Sequence, residues 1–120
     1  MRFLTVPLAL TLSTATPAFA EWKTLTTKAE LQKLIVGKSW VNPRNEAWFR
    51  LRRNGKLDGA SGQDKLAGAW AWKSQYLCFD RTLGGKKVPS DCVVVQVSGK
   101  QIATIRNQGK GRRSVYIRKQ

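Results

Sequence analysis

The sequence predicts a mainly β fold: a small antiparallel meander or barrel of about eight strands with one N-terminal helix. Three observations predict it. From Lys38 onward, short β-type runs alternate with turn residues at intervals of about ten residues. Only one segment has helical spacing, and it precedes the β-type runs. A long series of short consecutive strands joined by tight turns favours closure, because a closed barrel leaves no sheet edge open to other chains.

The chain divides into two parts. Arg2 precedes an apolar run, Phe3 to Leu12, and a polar stretch ends in Ala18-Phe19-Ala20. That is the three-part layout of a secretory signal, so residues 1–20 are expected to be removed after Ala20 on export to the periplasm or the medium. The apolar run falls far short of the roughly 20 residues a spanning helix needs, so a membrane-spanning chain is not expected. Residues 21–120 then form a single domain of ordinary size, expected to be a monomer.

Thr27-Lys28-Ala29-Glu30 has capping-box spacing, Leu31, Leu34 and Ile35 follow on one face, and Gly37 is placed as the C-terminal cap. The helix can plug one end of the barrel or lie against its wall. Strands are expected near 39–41, 46–52, 56–60, 66–73, 76–82, 92–97, 101–106 and 113–118. Turn residues separate them, including Asn42-Pro43, Ser61-Gly62, Gly84-Gly85 with Pro89, and Gly109-Lys110-Gly111. Asn54-Gly55 reads as a two-residue hairpin turn, because that pair accepts positive φ. Leu66, Trp70 and Trp72 share one face of their strand, with Ala67, Ala69 and Ala71 on the other.

Cys78 and Cys92 are the only cysteines. In an oxidising compartment their default state is a disulfide, closing a loop of about 14 residues. Their spacing is far from the Cys-x-x-Cys of redox centres.

The net charge is +15, or +14 once Arg2 is excluded. Charge of that sign and size draws a protein toward polyanions. For an exported domain these are an anionic envelope polymer or lipid, or an acidic protein; nucleic acid ranks behind them. Strand parity puts Trp48, Arg50 and Arg52 on one face, with Phe49 and Leu51 inward, and pairs Tyr116 with Arg118 on an outer face opposite Val115 and Ile117. The candidate anion-binding residues are therefore Arg50, Arg52, Arg112, Arg113 and Arg118, with Trp48 and Tyr116 as stacking surfaces. Trp70 and Trp72 are candidates for lining a ligand pocket.

Catalysis is not expected. There is no histidine, which removes the commonest general base and the usual nucleophile pairs. No metal site or cofactor site is expected either, since both sulfurs are committed to a bridge and neither glycine-rich stretch has phosphate-loop spacing. Of the seven carboxylates, Glu46, Asp80 and Asp91 would have to converge for a small hydrolase to be plausible. An inhibitor or accessory subunit of a cell-wall enzyme is an alternative, acting through a protruding loop at 83–90 that carries Lys86 and Lys87.

The residues Gly68-x-Trp70-x-Trp72, Tyr76-Leu77-Cys78, Asp91-Cys92-Val93-x-Val95 and Gly99-Lys100-Gln101-Ile102 occur in that order. In this the chain resembles a group of small bacterial periplasmic proteins of unknown function. The resemblance implies a lipocalin-like or similar small β-barrel and supplies no established catalytic residue to carry over. Some members are labelled dihydrodipicolinate reductase, an activity that calls for a dinucleotide fingerprint this chain lacks.

Overall fold

The computed structural model describes residues 21–119, so the expected export signal lies outside the described residues. Nine strands are present: β1 Lys23–Thr24, β2 Ser39–Val41, β3 Trp48–Leu51, β4 Lys56–Ser61, β5 Asp64–Lys73, β6 Tyr76–Leu83, β7 Lys86–Ser98, β8 Gln101–Ile105 and β9 Arg113–Arg118. One regular helix, α1, spans Lys28–Leu34. Strands β2 to β9 pair antiparallel with their sequence neighbours, and β9 pairs back with β2, so eight strands close into an up-and-down barrel. The short β1 joins β7 at Gln96 and Val97, past the stretch of β7 that β6 reaches.

Helix α1 begins as its capping residues dictate. The Thr27 hydroxyl accepts from the Glu30 N–H at 3.2 Å, and the Glu30 carboxylate accepts from the Thr26 N–H at 3.2 Å. Gly37 follows with φ +84, and its N–H donates to the Leu51 carbonyl. Leu31 and Ile35 are fully buried in one cluster with Trp40, Leu51, Leu57 and Trp70. Together with Leu25 they close the barrel end that carries the β3–β4, β5–β6 and β7–β8 turns. The opposite end stays open. Burying such side chains stabilises by about 1.5–3 kcal/mol each, which anchors α1 to this end.

Two glycines let the wall bend. A side chain at Gly59 would collide with the Trp48 carbonyl, and one at Gly68 would collide with the Asp80 carbonyl and sit 2.7 Å from Arg81 Cα. Leu66, Trp70 and Trp72 face inward, as their alternation predicts: Trp70 registers with Phe79 and Trp72 with Leu77. Cys78 and Cys92 are direct cross-strand partners joined by a disulfide, with Cα atoms 4.0 Å apart.

The structure corrects four expectations. Strand β7 starts at Lys86 and runs through Pro89; Phe79 pairs with Asp91 but Arg81 pairs with Val88, so Pro89 and Ser90 form a bulge opposite Asp80. A bulge needs no ladder donor from proline, which is why a strand survives there. Consequently 83–90 is no protruding loop but a hairpin turning tightly at Gly84 and Gly85, both with positive φ. The β3–β4 turn is longer than the two residues expected. Only Gly55 adopts positive φ, Asn54 instead accepts the Lys56 N–H through its side chain, and Arg52 pairs with Lys56 across three residues. Finally, Tyr116 faces inward, registering with buried Ile102, while Val115 and Ile117 take the outer face.

Candidate functional site

The open end holds a cavity of about 220 Å³. Its apolar wall includes Phe49, Leu57, Leu66, Leu77, Phe79 and Val93. Its polar atoms come from Arg81, Arg106, Ser61, Thr104, Ser114 and Tyr116, and no carboxylate lines it. The Phe49 and Tyr116 rings meet edge to face with centroids 4.9 Å apart, which fixes the aromatic side of the chamber. The volume lies below the roughly 300–1,000 Å³ of pockets that bury a drug-sized molecule.

Arg81 is the unusual group. Strand parity turns it inward at the bulge, and its guanidinium carbon sits 4.3 Å from the centre of the Phe79 ring. Its Nε is buried and has no hydrogen-bond partner. Burial, and next the neighbouring charge of Arg106, push its pKa down from the ordinary arginine value; Tyr116 and Asp91 oppose the shift. An arginine nonetheless stays protonated, so a cation is held in a partly apolar chamber. Among the described residues the ion pairs are Lys23–Glu30, Arg50–Asp58 and Arg52–Asp58, and none involves Arg81 or Arg106.

Arg106 reaches the chamber from a strained turn. In Arg106–Gly109, Asn107 (φ 52, ψ 54) and Gln108 (φ 55, ψ 34) are both left-handed, a conformation that costs a non-glycine residue on the order of 1–3 kcal/mol. Asp91 holds this turn in place, its carboxylate accepting from the Asn107 N–H at 3.1 Å and the Cys92 N–H at 2.8 Å. The Gly111 N–H returns to the Arg106 carbonyl at 2.8 Å. The disulfide, Asp91 and the Arg106 turn are thus mechanically linked, and backbone strain stored beside a cavity is a familiar mark of a site.

The five arginines singled out from the sequence do not share one face. Arg50 and Arg52 do share the outer side of β3 and its extension, where both converge on Asp58, at 3.3 and 2.9 Å. The hydrogen bond from Arg52 holds the Asp58 carboxyl below its usual range, against desolvation. Arg112 borders a surface groove with Arg44 at the open end. Arg113 lies 4.5 Å over the Trp22 ring, and Arg118 is exposed at the closed end, registering with Trp40. Trp48 is half-buried at the cavity rim, whereas Tyr116 lies inside it. Trp70 and Trp72 do not line the cavity; Trp70 is buried, its indole N–H donating to the Arg52 carbonyl, and Trp72 packs on the core.

Parity and spacing on β6 could have exposed Arg81, since Leu77, Phe79, Arg81 and Leu83 form one alternating inward set with a single charged member. Asp80 and Asp91 border a groove over the outside of the disulfide, with Ser90 bonded to Asp80. Glu46 lies on the β2–β3 loop and does not line that groove. Among the described residues no cluster of three His, Cys, Asp or Glu could hold a metal ion, and no helix is long and apolar enough to cross a membrane. No family model, curated protein or solved structure matches the chain.

Proposed function

We propose that the protein is an exported, non-catalytic binding domain whose basic open end engages an anionic component of the cell envelope. The observation that carries this reading is where positive charge lies uncompensated. The loops of the open end and their flanks carry Arg44, Lys65, Lys86, Lys87, Arg106, Lys110, Arg112 and Arg113, all exposed, against the acids Glu46 and Asp64 and, bonded to the Arg106 turn, Asp91. All three ion pairs of the described residues lie elsewhere, on β1, α1, β3 and β4. A ring of like charge around a concave low-dielectric mouth concentrates anions there.

Export after Ala20 and a place among the small bacterial periplasmic barrels both fit this reading. So does the disulfide, which persists in oxidising compartments. The alternative of an enzyme inhibitor gains no feature from the structure, because the 83–90 segment is a hairpin.

The test is retention on a dextran sulfate matrix at low salt. Arg44→Glu with Arg112→Glu, two of the three groove arginines, should elute at markedly lower salt than the parent. Arg50→Glu with Arg52→Glu should have the smaller effect, because Asp58 already offsets that pair. Unchanged retention of the first variant would remove the open end from the site.

A further inference from the structure

The chamber inside the mouth asks for a ligand of its own. It combines three features: a half-buried guanidinium whose buried Nε has no partner and which makes no ion pair, a second guanidinium on a strained turn, and an aromatic and aliphatic wall with no carboxylate. A lone cation in such a place is costly unless something pairs with it. Water can solvate it in part, but water leaves the rings and leucines without partners.

We propose that the cavity is a binding site for a small amphipathic anion, with its oxyanion head between Arg81 and Arg106 and its short apolar tail among Phe49, Leu57, Leu66 and Phe79. Each part of the site then has a role. Arg81 is the anchor, because its planar fork is fixed over the Phe79 ring and its Nε–H lacks an acceptor. Arg106 adds the second charge from a turn that Asp91 tethers. The hydroxyls of Thr104, Ser114 and Tyr116 add donors beside the head. The volume, about 220 Å³, limits the occupant to a short chain or a single ring. Arg106 belongs to both readings, but Arg81 and the apolar wall belong to this one alone, since a polymer docking on the rim would not fill the chamber.

The experiment is a calorimetric titration of the purified protein with octanoate, with 1-octanol and octylamine as neutral and cationic controls of the same tail. Octanoate should bind saturably, and both controls should bind at least about tenfold more weakly, the size of one charge-assisted hydrogen bond. Arg81→Met should lose octanoate affinity by a similar factor while remaining folded, because it replaces a half-buried charge with an apolar stem. Thr104→Phe keeps Arg81 and fills the chamber instead; it should also lose binding. Absence of saturable octanoate binding, equal binding of octanol, or full octanoate affinity in either folded variant would overturn the proposal. Dextran sulfate retention should be nearly unaffected by Thr104→Phe, since Thr104 lines the chamber and not the Arg44–Arg112 groove, so failure here is distinguishable from failure of the surface reading.

Discussion

Trp70 holds Arg52 from the neighbouring hairpin: its indole N–H donates to the Arg52 carbonyl at 2.8 Å. Its backbone N–H donates to the Gly55 carbonyl, also at 2.8 Å, so one residue of β5 pins the β3–β4 turn at two points. Trp40 plays the matching part on the other side, donating its indole N–H to the Ile35 carbonyl at the end of α1. These tryptophans staple the closed end and do not line the barrel cavity. Trp70→Phe should therefore cost about 1–2 kcal/mol, and Trp70→Ala about 3–5 kcal/mol, in urea denaturation. Neither should change octanoate affinity while the protein is folded.

Asp58 restrains two arginines that would otherwise add to the anion-attracting surface. Replacing it by asparagine keeps the shape and removes the charge that pairs with Arg50 and Arg52. Asp58→Asn should elute from dextran sulfate at higher salt than the parent. It should also be modestly less stable, since Arg50, whose Nε is buried, loses its counter-ion.

The Cys78–Cys92 bridge closes a loop with a sequence separation of 14 and lies beside Asp91, which tethers the Arg106 turn. Replacing both cysteines by serine should cost on the order of 3 kcal/mol, lowering the melting temperature by roughly 10–20 °C. Because the bridge supports that turn, hydrogen exchange at 106–111 should accelerate more than exchange in α1.

Acid should loosen the N-terminal closure first. The Glu30 carboxyl is lowered from 4.5 to about 2, chiefly by its hydrogen bond to Lys23 and then by the Thr26 N–H. A folded-state pKa below the unfolded one means the unfolded chain takes up the proton more readily. The stabilisation is thus complete above pH 4.5 and lost as the pH falls toward 2. Glu30→Gln should flatten the dependence of stability on pH across that window, and added salt should shrink the difference, since the pair is exposed.

Much of the barrel was legible because its signals are local. The Thr27–Glu30 cap, the period of two on β5 and the turn glycines each act within a few residues. The inward set of β3, Phe49 and Leu51, followed from hydrophobicity alone. What was not legible depends on partners distant in sequence. In β9 the apolar residues Val115 and Ile117 alternate with Tyr116, so pattern favours turning them inward; contact with Ile102 and Phe49 reverses the choice. Pro89 reads as a strand breaker until the bulge opposite Asp80 is seen. Arg81 passed unnoticed because a charged residue on a strand normally faces water, and nothing within the strand shows that its neighbours close around it. The two-residue β1 is too short to carry a signal of its own.

The most direct test of the anion-binding open end is a backbone amide NMR titration of the protein with a short sulfated oligosaccharide. The account predicts that the largest shifts fall in the loops at 42–47, 61–64, 84–85 and 106–112, and that they fade as salt is raised. Shifts concentrated instead on 53–55, 74–75 and 99–100, or spread evenly over the barrel, would contradict it.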